Sequence, residues 1–277
     1  MPHRGSARLG SRHIADALRV VVVVTGLATA CGESPVTWNE TRSGRAFVGG
    51  AVAPDGTFHP DSMAMLAARG SPPGPNVCPG SLVLARAGRR LFAAWWRARP
   101  DSGALLLAAH SDDGGRIWSA PAAVDTTDQS VTGCDRTPPA IAADSASGYV
   151  HVVFALLGRE GPGLFYAHSM DAGATFHAAV PIFYGDRLGH SSVAADRDVV
   201  AVAFEDPNSR APRIGLALSR TMGHIFEERL LPISDDNEIA SRPKVAVQGR
   251  RLAVAWLRGD PSDDVPDVPA VRTGTLR

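Results

Sequence analysis

The 277-residue sequence carries no surplus charge, since 28 basic side chains are matched by 28 acidic ones. A nucleic-acid partner needs a basic face to displace counterions, so that class of partner is excluded. No apolar run reaches the roughly 18 residues of a membrane-spanning helix, which excludes such a span in the mature chain. Paired-histidine zinc spacing, a phosphate-binding glycine loop and a nucleophile elbow are all missing, so neither a metal nor a cofactor is expected. Amphipathic helical stretches of useful length are missing too, which argues against a parallel α/β sheet. What remains is 44% hydrophobic, enough for a packed core, and its 28 glycines and 21 prolines suit short strands joined by turns.

The first 30 residues read as a secretory signal. Arg4, Arg8, Arg12 and Arg19 precede an apolar run from Val20 to Ala30, and Ala28-Thr29-Ala30 supplies the small residues of a cleavage site. Leu27-Ala28-Thr29-Ala30-Cys31 resembles a bacterial lipobox, which implies acylation of Cys31, a membrane partner through that anchor and a place in the bacterial cell envelope. The competing reading is an ordinary signal peptide with a cysteine nearby. Gly32 follows Cys31, in place of the aspartate that resembles an inner-membrane retention signal. Export also bears on Cys78 and Cys134, the other two of the three cysteines. Outside the cytoplasm they either pair or stay as two thiols, and pairing would close a loop worth roughly 4 kcal/mol in the chain-entropy picture.

Four segments repeat one pattern: an apolar strand, a polar turn, then an alternating strand ending in a large aromatic. The second strands end at Trp95, Phe154, Phe204 and Trp256, which lie 59, 50 and 52 residues apart. That is the period of a four-stranded propeller blade. Alanine and valine fill these strands, as crowding near a central axis demands, and each terminal ring fills the widening gap between sheets. Third strands are expected over 104–110, 163–168, 213–218 and 270–276. The fold class expected is all-β: a small β-propeller of four-stranded antiparallel blades, with four blades visible and room for a fifth. The last blade lacks an outer strand, which an N-terminal strand within 36–39 or 46–53 would supply. The expected organisation is a signal peptide over 1–30, then a lipidated N-terminus, linker and candidate closing strand over 31–77. The propeller proper is assigned to 78–277. Pro72-Pro73-Gly74-Pro75 reads as linker, and a short helix fits 61–69.

After three of the third strands comes an octapeptide. Ser111-Asp112-Asp113-Gly114-Gly115-Arg116-Ile117-Trp118 and Ser169-Met170-Asp171-Ala172-Gly173-Ala174-Thr175-Phe176 follow Ser-x-Asp-x-Gly-x-Thr-Trp/Phe, the first with Ile117 in place of threonine. Ser219-Arg220-Thr221-Met222-Gly223-His224-Ile225-Phe226 keeps Ser219, Gly223 and Phe226 but has lost the aspartate. These residues resemble the Asp boxes of the bacterial neuraminidase repeat family, which implies a sialidase-like propeller. The role expected for the boxes is structural. Ser111, Asp113, Ser169 and Asp171 bond their own turns, Gly115 and Gly173 take positive φ, and Trp118 and Phe176 tuck beneath. Strand order puts the boxes on the face opposite the starts of the inner strands.

A ligand is therefore expected on the inner-strand entry face. There Arg136 and Arg242 either converge to grip a carboxylate bidentately or stand as surface arginines paired with Asp135 and Glu238. His190 joins them as a loop residue on that face. The sialidase resemblance implies Arg136 and Arg242 as two of three substrate arginines, Asp135 as acid/base and Tyr184 with Glu205 as nucleophile and base. The family's Arg-Ile-Pro motif is absent. The leading reading is a non-catalytic, lipid-anchored propeller that binds a glycan, a small ligand or a protein. The alternatives are an exo-α-sialidase or related glycoside hydrolase, and an envelope assembly component.

Overall fold

The computed structural model describes residues 33–43, 51–59, 77–206, 208–209, 211–260 and 268–277. The segment expected to be a signal peptide, Cys31, the prolines expected to form a linker and the helix expected over 61–69 lie outside these residues. Residues Pro35–Arg277 form one compact unit.

Strands β1 (Val36–Trp38), β2 (Arg42–Ser43), β3 (Ala51–Val52) and β4 (Phe58–His59) come first. Three four-stranded antiparallel sheets follow. The first is β5 (Val83–Ala87), β6 (Arg90–Ala98), β7 (Ala104–Ser111) and β8 (Ala122–Asp125). The second is β9 (Ala140–Ala143), β10 (Val150–Gly158), β11 (Gly161–Ser169) and β12 (Val180–Tyr184). The third is β13 (Ser191–Asp196), β14 (Val199–Asp206), β15 (Arg213–Ser219) and β16 (Leu231–Pro232). A fourth runs β17 (Ile239–Gln248), β18 (Arg251–Gly259), β19 (Val268–Leu276) and is completed by β1 from the other end of the chain.

Each of these four sheets is a blade whose strands run in sequence order from inside to outside, save that β1 is the outermost of the fourth, and inner strands β5, β9, β13 and β17 neighbour one another in that order. Val36 pairs with Leu276 and Trp38 with Gly274, so the 36–39 segment, rather than 46–53, supplies the missing outer strand. It covers the unpaired edge that β19 would otherwise present. The hairpin β3–β4 packs on the free face of the fourth blade, where Val52 meets Ala253, Ala255 and Val271. It occupies the place of a fifth blade.

The blades are buried on both faces, which is why their second strands read as continuous apolar runs. Phe92, Trp96, Leu106 and Phe154 fill the seam between blades one and two. Val153, Tyr166, Val202 and Phe204 fill the next, and Ala203, Leu216, Val254 and Trp256 the third. Trp95, Phe154, Phe204 and Trp256 are all at most 2% exposed. Burying such rings contributes on the order of 3 kcal/mol each, the cost of truncating them. Alanines sit between them because the neighbouring sheets leave no room for more.

The octapeptides close β7–β8, β11–β12 and β15–β16, on the face opposite the inner-strand starts. In the second, Asp171 Oδ1 accepts from Ser169 Oγ (2.7 Å) and Thr175 N (2.8 Å), and its Oδ2 accepts from Thr175 Oγ1 (2.6 Å). Ser169 Oγ in turn accepts from Gly173 N at 2.7 Å. In the first, Asp113 Oδ1 accepts from Ser111 Oγ, Arg116 N and Ile117 N. In the third, Thr221 Oγ1 takes over the carboxylate's part, accepting from Ile225 N at 2.9 Å. Two successive left-handed residues make each reversal: Gly114-Gly115, Ala172-Gly173 and Met222-Gly223. The bonds of Asp171 to Thr175 and Ser169 hold its carboxyl down at about 2.

Candidate functional site

Strand direction gathers the inner-strand entries and the β10–β11 and β14–β15 connections on one face. Three of the sequence-selected residues meet there. Glu205, at the end of β14, is 14% exposed, and its Oε1 accepts from Arg242 N (2.7 Å) and lies 3.3 Å from His190 Nδ1. Arg242 stands at a bulge between Ser241 and Lys244, in the left-handed region at φ 52°. Glu205 pins that bulge through the backbone, and the Arg242 side chain is left exposed. A non-glycine residue held in that region costs on the order of 1–3 kcal/mol and tends to mark a site.

Arg136 is not part of this group. Its side chain is 6% exposed, with Nη1 paired to a fully buried Asp128, Nε donating to Gly133 O (2.7 Å) and Nη2 to Ser130 O (2.8 Å). The guanidinium lies 5.2 Å from the Trp96 ring centroid. Every face of it is occupied, so it cannot grip a ligand carboxylate together with Arg242. Its partner is Asp128, not Asp135, which is exposed. Glu238 is not the partner of Arg242 either, because Trp256 Nε1 donates to it at 3.0 Å and Arg258 approaches at 3.7 Å. Asp128 also accepts from Leu157 N at 3.0 Å and Ser130 N at 3.1 Å, tying the 126–136 loop to blade two. Cys78 and Cys134 are joined by a disulfide that staples the same loop to the entry of blade one.

Tyr184 is likewise not paired with Glu205. It ends β12, the outermost strand of blade two, and its hydroxyl donates to Glu160 Oε2 at 2.8 Å. That bond to a carboxylate pushes the phenol above its ordinary pKa. The ring is 40% exposed and meets Phe165 edge-on, 6.0 Å between centroids. Together they form one end of an open cleft of about 740 Å³ between the outer parts of blades one and two. Val124, Leu156, Phe165 and Phe176 give it an apolar floor, and Gln129, Arg159, Glu160 and His177 give it a polar rim. The sequence reading missed Glu160 as the tyrosine's partner. Among the described residues no cluster of three or more His, Cys, Asp or Glu side chains is arranged to hold a metal.

The arrangement can therefore do two things. The cleft offers an aromatic surface beside a fixed carboxylate, and the Glu205 group offers a half-exposed imidazole and, from the bulge it pins, an exposed arginine side chain. It does not bring a tyrosine–glutamate pair and two arginines to one point.

No protein-family model matches the chain, and no curated protein matches it in sequence. Solved structures do match in shape. A protein of unknown function from Dyadobacter fermentans aligns at 16% identity with a TM-score of 0.50, over 68% of this chain and 50% of its own. The likeness is one of fold. A Hadza microbial sialidase, Hz136, aligns at 18% identity over 71% of this chain and 46% of its own, with a TM-score of 0.49. The Streptococcus pneumoniae sialidase NanB, as its K499G mutant, aligns at 14% identity over 72% of this chain and 30% of its own, with a TM-score of 0.46. The chain spans half or less of the length of these proteins.

Proposed function

We propose that this is an exported, lipid-anchored Asp-box propeller of the bacterial cell envelope that binds a glycan without hydrolysing it. The observation that carries the binding is Tyr184. A sugar presents an apolar face of C–H groups and a rim of hydroxyls. The exposed face of Tyr184 suits the first, and the Glu160 carboxylate, whose position the phenol fixes, suits the second. The cleft volume of about 740 Å³ has room for a sugar ring, and Arg159 on its rim favours a glycan bearing carboxylates. Export and anchoring rest on the basic start, the apolar run from Val20 and the lipobox-like residues up to Cys31.

Calorimetry of the full chain against a panel of neutral and acidic oligosaccharides tests this reading. Tyr184→Ala is expected to weaken the bound member at least tenfold, with the thermal midpoint of the protein kept within a few degrees. Unchanged affinity in Tyr184→Ala would remove the cleft as the site.

One observation favours a second reading, hydrolysis: a tyrosine hydroxyl 2.8 Å from a carboxylate is a nucleophile beside its base. Turnover of a fluorogenic sialoside that disappears in Tyr184→Phe would establish it. Equal signal from the two proteins would end it.

A further inference from the structure

The face that carries the octapeptide turns has its own exposed chemistry. Position seven of the second turn is Thr175, whose hydroxyl donates to Asp171 Oδ2 at 2.6 Å. The same position holds Ile117 in the first turn and Ile225 in the third, 74% and 69% exposed. Met170, at position two of the second turn, is 48% exposed. In the two isoleucine turns a hydroxyl that would brace the turn is replaced by a branched apolar side chain aimed at solvent. With Met170 they put three large exposed apolar side chains on the octapeptide face.

The chain enters the propeller on this same face. Pro35 O accepts from Arg277 N at 3.0 Å and from Arg220 Nη2 at 3.2 Å. Arg220 is the second residue of the third octapeptide. Its Nη1 donates to Arg277 O at 2.9 Å and its Nε to Glu227 at 2.8 Å. Three residues, Gly32, Glu33 and Ser34, separate Cys31 from Pro35, so the tether reaches at most about 14 Å. Acyl chains on Cys31 would hold this face, and not the opposite one, against a bilayer. Exposed arginines at Arg89, Arg116, Arg197 and Arg251 lie at turns of this same face, and they suit anionic headgroups. Of the acids of this face, Asp112 pairs with Arg90, and Asp113 and Asp171 bond their own turns, while Asp198, next to Arg197, is exposed.

We infer that the octapeptide face is the membrane-docking face, with Ile117, Met170 and Ile225 entering the headgroup boundary of the bilayer that receives the Cys31 lipid. The inference rests on the lipid-anchored reading above and deepens it. It leaves the Tyr184–Glu160 cleft on the side open to glycans in the medium.

The test uses the full chain, exported and processed by a bacterium, and reconstituted in phosphatidylethanolamine–phosphatidylglycerol vesicles carrying a nitroxide on some headgroups. A fluorophore is placed through Ile117→Cys, Ile225→Cys or, on the opposite face, Val131→Cys, and the mass of the protein reports whether Cys31 is acylated. In acylated protein, quenching at 117 and 225 is expected to exceed that at 131 at least threefold. Equal quenching at all three overturns the docking face while leaving the anchor intact. Unacylated protein would instead refute the anchor. The face is then judged by sedimentation of the chain with nitroxide-free vesicles. A tenfold fall in the bound fraction in Ile117→Asp/Ile225→Asp supports it, and no binding by the unsubstituted chain overturns it.

Discussion

Acid should unfold this protein through two histidines that blades two and three bury neutral. His151 is fully buried, and its Nδ1 lies 2.6 Å from the Tyr166 hydroxyl. His168, 7% exposed, stacks on His177 at 4.8 Å between centroids and meets His224 edge-on at 4.7 Å. The Nε2 atoms of His151 and His168 are buried with no hydrogen-bond partner among the described residues. Burial, reinforced by the neighbouring imidazoles, lowers His151 to about 3 and His168 to about 4, with the Asp144 carboxylate opposing the fall at His151.

Both folded values lie below the ordinary 6.5. Between 6.5 and about 4 the unfolded chain therefore binds more protons than the folded one, and stability falls as pH falls. Each histidine contributes a slope of about 1.4 kcal/mol per pH unit. From pH 6.5 to pH 4.5 the pair should lose about 5 kcal/mol, comparable with the whole stability of many domains. Urea denaturation at pH 7.0, 5.5 and 4.5 measures it. His168→Phe should behave like the parent at pH 7 and exceed it by about 2–3 kcal/mol at pH 4.5. A flat profile from pH 7 to 5, or the same slope in His168→Phe, would refute the reasoning.

Asp171→Ala should cost about 1–2 kcal/mol, because three donors lose one acceptor; a thermal midpoint equal to the parent's would contradict that role. Thr221→Asp, which restores the missing carboxylate in the third turn, should raise the midpoint by a few degrees in the same scan. Arg136→Met should destabilise by about 3–5 kcal/mol, because it strands the buried Asp128, and a loss below 1 kcal/mol in urea would place Asp128 in contact with water. Reducing Cys78–Cys134, whose positions are 56 residues apart, should cost roughly 4 kcal/mol, read as the shift in urea midpoint with and without reductant.

The blades were legible because their signals are local and repeated. Crowding near the axis selects alanine and valine, the gap between sheets selects Phe154, Phe204 and Trp256, and both act within one strand; in blade one Trp96 takes the seam and Trp95 packs on the other face of its own sheet. The closing strand was legible only as a choice between two segments. Three residues that alternate in and out carry little pattern, and what holds β1 comes from far along the chain: its ladder to β19, the burial of Val36 against blades three and four, and the bonds of Arg220 and Arg277 to Pro35. The hairpin β3–β4 was harder still, since two residues per strand give no period at all.

The candidate site was half legible, and the division follows the backbone. His190 and Glu205 sit at the ends of regular strands and Arg242 at a bulge in the entry part of β17, so counting blades brings them to one face. Arg136 sits in a loop whose path is set by Asp125 and Asp128 capping successive amides; those bonds turn its guanidinium inward, which spacing cannot reveal. Tyr184 was misassigned because β11 and β12 slip register between Leu164 and Phe165. The slip sets Tyr184 opposite Gly163, beside the β10–β11 turn that holds Glu160, and an alternating pattern does not record an extra residue. The residue that could have told is Gly163. A Cβ there would fall 2.8 Å from Phe183 O and 3.1 Å from the Tyr184 ring. A glycine inside an otherwise apolar third strand marks a close approach by its neighbour, and the aromatic nearest in the next strand is Tyr184.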